Sequence, residues 1–199
     1  MRYVKKDKIE EIGFTKYLPF SIKKDTVKEF EAEFKIKGED VKLQDTNGEW
    51  VDLAIMYPGA TSITYKVTLT RLTSTGRIIK VNREGLETQI KVFIHTLAFS
   101  NSLSGMSNLK SNLGTLVFST IAKILTAFQD HYQDPADFQC ISFTPAYGDL
   151  VPVYEILSRE AEKQGNLIYA NKETGKRDRH WYLLNKNIFN ALLKRLGKE

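Results

Sequence analysis

Hydrophobic and polar positions alternate most cleanly between Ile63 and Leu69. Ile63, Tyr65, Val67 and Leu69 are separated by Thr64, Lys66 and Thr68, the period-two pattern of a strand with one buried face. Arg77 to Val81 predicts the next strand, and Gln89 to Phe99, with a more continuous apolar run, a further one. Ser74-Thr75-Gly76 turns the chain between them, and Asn82 to Gly85 reads as loop.

The period then changes. Val117, Ile121, Ile124, Phe128 and Tyr132 recur at helical spacing, so 114–132 is predicted to be a helix with one apolar stripe, closed by Asp134-Pro135. Gln139 to Thr144 predicts a short strand centred on Cys140, Ile141 and Phe143. A second helix follows, with Asp149 as N-cap, Pro152 in its first turn, a stripe of Leu150, Tyr154, Leu157 and Ala161, and Gly165 as its stop. Leu167 to Ala170 and His180 to Leu184 read as strands around a charged turn. The last helix is expected over Asn187 to Gly197, with Ile188, Leu192 and Leu196 inward.

Before residue 60 the pattern is less decisive. Asp45-Thr46-Asn47-Gly48 is a turn, because Asn-Gly tolerates positive φ. It predicts a hairpin between the Val41–Leu43 region and a strand over 49–55; Tyr57-Pro58-Gly59 turns again. In 21–37, Val27, Phe30 and Phe34 suit a helix capped by Ser21, while Phe30, Ala32, Phe34 and Ile36 suit a strand. The expectation taken is helix over 25–33. Residues 1–20 read as an arm with scattered aromatics and Pro19, able to dock on the body or on a neighbour, and 21–199 as a single domain.

Composition narrows the class. With 199 residues, 42% of them hydrophobic, the chain has material for one sizeable core. A lone cysteine, Cys140, rules out an intramolecular disulfide framework. No apolar run approaches the ~20 residues of a membrane span, and the charged stretch MRYVKKDKIEEIGF lacks the apolar centre of a secretory signal. No membrane partner is therefore expected. The net charge of +5 is diffuse, since 24 acidic residues accompany 29 basic ones, whereas a nucleic-acid surface shows clustered charge.

Candidate chemistry is sparse. His95 lies in an apolar strand and is the best single base candidate, since imidazole titrates near neutral pH. Cys140 has no basic neighbour in sequence to lower its pKa and reads as a small buried hydrophobe. Three His and one Cys lack zinc-ligand spacing, so no metal site is expected. Lys172, Lys176, Arg177 and Arg179 beside Trp181 and Tyr182 form a basic aromatic hairpin, diluted by Glu173 and Asp178. It suits a protein interface, or phosphates with a stacked base. The loop 100–113, rich in Ser, Asn and Gly, is the one long polar loop in the body.

From about residue 60 to 184 the order of elements resembles the GNAT acetyltransferase fold. The segment LKSNLGTLVFSTI stands where that family has a pyrophosphate-binding loop entering a helix; QCISFTP matches the strand after it, and VYEILSREAEKQGNLI the following helix. The resemblance implies an α/β (α+β) domain, a mixed but mainly antiparallel sheet flanked by helices. If the family's chemistry is kept, acyl-CoA would lie on Asn108, Lys110, Asn112, Gly114 and Thr115. His95 or Glu84 would then take the amine proton, and Tyr154 would protonate the thiolate. Set on the family's loop pattern, however, Gly114 takes the last glycine position, Asn112 stands at the first and Leu109 where Gln or Arg belongs. The family's tyrosine position falls on Ala161.

The expectation is a non-catalytic GNAT-like interaction or assembly module with no cofactor and a protein partner. The "Y-x-x-L…G" pattern of 154–165 also resembles phage-encoded domains, which places it in the cytoplasm or a virion. The alternatives are an acyl-CoA-dependent N-acyltransferase, and a nucleic-acid-binding protein using the 172–182 hairpin.

Overall fold

The computed structural model describes residues 16–83, 86–103, 111–132, 139–143, 181–195 and 197. They form a mixed α+β fold dominated by a seven-stranded sheet. The strands are β1 (Phe20–Asp25), β2 (Glu29–Lys37), β5 (Ser62–Arg71), β6 (Arg77–Arg83), β7 (Leu86–Asn101), β8 (Gln139–Phe143) and β9 (Trp181–Leu184). The sheet order is β1-β2-β5-β7-β8-β9, with β6 also on β7. All pairings are antiparallel except β7 with β8. That parallel pair follows from the helix between them, α2 (Ser111–His131), since parallel neighbours need a crossover.

The expected helix over 25–33 is absent: Ser21 lies within β1 and Glu29–Lys37 is β2. Alternation prevailed because only a strand buries Phe30, Ala32, Phe34 and Ile36 on one face while Glu29, Glu31 and Glu33 point away. The turn before β2 lacks the glycine or asparagine that marks hairpins in sequence. Thr26 and Glu29 exchange backbone hydrogen bonds of 3.1 and 3.2 Å across Val27-Lys28, and the Thr26 hydroxyl also accepts from the Glu29 amide.

The Asp45–Gly48 turn forms as expected. The Asp45 carboxylate accepts from the Asn47 and Glu49 amides, and Gly48 takes φ 85°. It joins β3 (Lys42–Gln44) to β4 (Trp50–Asp52), a separate two-stranded sheet. The strand expected over 49–55 stops at Asp52; Leu53–Met56 makes one helical turn, α1, with Leu53 buried. Before β3, Gly38 lies against Thr61, whose carbonyl accepts its amide at 2.8 Å. A Cβ at Gly38 would stand 2.7 Å from that oxygen, so the close approach requires glycine.

Strands β5, β6 and β7 match the pattern and run longer, while β8 and β9, expected over 139–144 and 180–184, are described over Gln139–Phe143 and Trp181–Leu184. Strand β6 extends to Arg83 and β7 covers Leu86–Asn101, so Asn82 and Arg83 are strand rather than loop. Helix α2 begins at Ser111, three residues before 114. The helix expected over 150–165 and the strand over 167–170 lie outside the described residues. The final helix, α3, is Lys186–Arg195. Its buried side chains include Phe189 and Leu193; those of Ile188, Leu192 and Leu196 are outside the description.

Helix α2 packs on one face of the sheet. Leu113, Val117, Ile121, Ile124, Leu125 and Phe128 join the inward residues of β2 and β5, with Ile141 and Leu183. The next residues along β8 and β9, Cys140 and Leu184, point to the opposite face. There they meet Ile79, Ile90, Val92 and Ile94 under Phe189 and Leu193 of α3. Ahead of β1, the described residues Lys16 and Leu18 meet α2: Ser119 donates to the Lys16 carbonyl, and the Leu18 amide donates to Thr120 Oγ1 at 2.9 Å; residues 1–15 of the expected arm lie outside the described residues.

Candidate functional site around His95

Strand register sets His95 opposite Arg71 on β5 and Ile141 on β8, facing α2. The side chain is fully buried. Its ring lies 4.8 Å from that of Phe128, edge to face, and its Nε2 is 2.6 Å from the Val27 carbonyl oxygen. A carbonyl can only accept, so Nε2 carries the proton and donates. Val27 is the middle of the three residues, Thr26, Val27 and Lys28, between β1 and β2, where its carbonyl is not used by the hairpin. The histidine therefore ties the β1–β2 turn to the central strand. One strand position earlier on the same face, the Arg71 guanidinium stacks 3.7 Å over the Phe93 ring.

A second tie lies beside the first. The Tyr132 hydroxyl at the end of α2 donates to Asp25 Oδ1 at 2.6 Å, and His131 Nε2 is 3.6 Å from Asp25 Oδ2. Burial, with this hydrogen bond and the Asp25 charge, pushes the Tyr132 phenol up to about 12; burial does the same to Tyr65, stacked on Phe34. Both phenols ordinarily ionise near 10. Their contribution to stability is complete below pH 10 and is lost as pH rises towards 12, because the unfolded chain releases those protons first. Stability in urea should fall across that window. Tyr65→Phe should flatten the fall; an unchanged slope in that variant would contradict the assignment.

The residues singled out in the sequence are not gathered at one described place. His95 is in the core. Gly114 and Thr115 lie in the first turns of α2, with Thr115 buried and open space where a Cβ on Gly114 would project. Asn112 is helical, with its side chain outside the description; Glu84, Asn108, Lys110, Tyr154, Lys172, Lys176, Arg177 and Arg179 lie outside it entirely. Trp181 and Tyr182 begin β9, opposite Phe143 and Ser142 in the register. Cys140 is buried, and burial pushes its thiol up, away from a reactive thiolate.

Sequence reasoning missed the Asp25–Tyr132 tie, having assigned Tyr132 to the apolar stripe alone. It also missed a second buried face of α2, where Thr115, Ser119, Thr126 and Gln129 lie. On that face the Gln129 amide donates to the Leu183 carbonyl at 2.9 Å. The available signal was the scarcity of charge in 111–131, where Lys123 and Asp130 are the only Lys, Arg, Asp or Glu; a helix that is apolar or small nearly all round is buried nearly all round.

Among the described residues no group of three His, Cys, Asp or Glu could hold a metal ion, and no helix is long and apolar enough to cross a membrane. No protein-family model matches the chain, and neither a curated protein nor a solved structure matches it.

Proposed function

We propose that the chain is an interaction or assembly module on a GNAT-like framework, with no acyl-transfer chemistry of its own and with protein as its partner. The observation that carries this reading is the position of His95. A general base must come within hydrogen-bond reach of the proton it removes. The best base candidate of the chain instead spends Nε2 on the Val27 carbonyl with no exposed surface. The framework itself rests on the sequence resemblance; the described strands, with antiparallel β2, β5 and β7 preceding one parallel pair, β7 and β8, joined through α2, leave room for it. Support against the phosphate loop comes from Asn112 and Gly114 already belonging to the helix. The attribution to a phage, as a virion or accessory protein, rests on the sequence pattern of 154–165.

The test is release of free CoA from acetyl-CoA in the presence of small amines and amine-bearing peptides. The expected rate equals the protein-free blank. Amine-dependent release above that blank would restore the N-acyltransferase reading with His95, Glu84 and Tyr154 as its residues. Binding of DNA or RNA that weakens steeply with salt and is lost when Lys176, Arg177 and Arg179 become Ala would instead favour the nucleic-acid reading.

A further inference from the structure

Asn47-Gly48 is the only Asn-Gly pair in the chain, and it sits at the tip of the β3–β4 hairpin. An asparagine side-chain amide is an electrophile within reach of the next residue's backbone nitrogen. Glycine is the follower that hinders this attack least, since it has no Cβ and leaves the backbone free to turn. Residues 46–49 are exposed, so water reaches the pair. The folded turn, however, keeps the attacking nitrogen occupied. The Gly48 amide donates to the Asp45 carbonyl at 3.1 Å. On either side, Asp45 Oδ1 accepts from the Asn47 amide at 2.9 Å and from the Glu49 amide at 2.8 Å. Gln44 Nε2 donates to the Gly48 carbonyl at 2.9 Å, and the Asp45 amide to the Glu49 carbonyl at 2.9 Å. The peptide unit that carries the Gly48 nitrogen is thereby fixed, and ring closure needs it to turn towards the Asn47 side chain.

We propose that Asn47 is a self-modification site, which deamidates through a succinimide at a rate the Asp45 turn sets by holding the Gly48 amide. The Gly48 nitrogen bonds to Asn47 Cγ, and the Cγ–Nδ2 bond breaks. The leaving nitrogen takes the Gly48 amide proton and departs as ammonia. One water then opens the ring at either carbonyl, giving aspartate or, through the other bond, isoaspartate. Nothing is oxidised or reduced, and water is the only co-reactant. Both products add a negative charge beside Asp45 and Glu49. Isoaspartate also lengthens the backbone by one methylene between two amides that share the Asp45 carboxylate. The register beyond the turn, Gln44 with Trp50 and buried Leu43 with Val51, depends on that spacing. Modification therefore loosens the hairpin that made it slow. None of this depends on the partner proposed above.

The test incubates the full-length protein in warm, mildly alkaline buffer and follows Asn47 by peptide mass spectrometry, which reads the mass gain from amide to acid and separates isoaspartate by retention. Wild type, Asp45→Ala and urea-unfolded wild type are compared. Asn101-Ser102 serves as internal control, because the Asn101 side chain is held separately by the Leu103 amide. Conversion at Asn47 should be at least about tenfold faster in the unfolded chain than in the folded one, a comparison that needs no variant. It should be at least about threefold faster in Asp45→Ala than in folded wild type, with Asn101 unchanged between the two. Amide exchange in β3 and β4 should be faster in the converted protein. Equal rates at Asn47 in folded and unfolded chains, no conversion in the unfolded chain, no acceleration in Asp45→Ala, acceleration shared equally by Asn101, or unchanged hairpin exchange after conversion would each overturn the proposal.

Discussion

Replacing Phe128 with alanine is expected to lower the free energy of unfolding by about 3–5 kcal/mol, the range for deleting a buried aromatic ring. The ring is fully buried and touches three others. It lies 5.4 Å from Phe30 on β2, 4.8 Å from His95 on β7 and 5.1 Å from Tyr132 one turn later. Deleting it opens a cavity where α2 meets the strands on both sides of β5, and Phe30 is too well packed to fill it. Urea denaturation monitored by circular dichroism measures the loss, which corresponds to a fall in Tm of roughly 6–20 °C. Phe128→Leu keeps most of the volume and should lose less than half as much. A loss under 1 kcal/mol in Phe128→Ala would mean that α2 does not seat on this face.

The second large effect belongs to His95. His95→Ala should cost about 2–4 kcal/mol, from the cavity and from leaving the Val27 carbonyl without its donor. The loss should be accompanied by faster amide exchange in the β1–β2 turn, since the histidine is what holds that turn against β7. A catalytic histidine predicts the opposite split: native stability and lost activity. His95→Ala with wild-type stability would remove the structural role assigned here and reopen the search for a substrate beside it.

How much of this was legible in the sequence depends on whether a residue's partner was local. The Ile63–Leu69 strand declared itself because both faces of a half-buried strand are written into its own letters. The Asp45–Gly48 turn did so because a positive-φ glycine is a local requirement. The 25–33 segment misled because Val27, Phe30 and Phe34 also fall at helical spacing, and Val27-Lys28 carries no turn letter. The choice was made by β5, on which β2 lays every residue from Glu29 to Lys37. Such tertiary support is invisible in a single segment.

The site was less legible than the fold. His95 could be named as the distinctive polar residue of an apolar strand, but its role depends on Val27, 68 positions away. The Tyr132–Asp25 bond spans 107 positions. Neither residue type points to the other, so only the folded chain brings them together. The basic residues of the 172–182 hairpin and residues 108–110 of the expected phosphate loop lie outside the described residues, and their assignment stays with the proposal.

Calorimetric titration of acetyl-CoA into the full-length protein tests the central reading most directly, because any acyl transfer requires that complex. An interaction module predicts no saturable heat up to millimolar acetyl-CoA. Saturable binding at micromolar concentration, weakened when Gly114 becomes Glu, would contradict it and return residues 108–115 to the role of a cofactor loop.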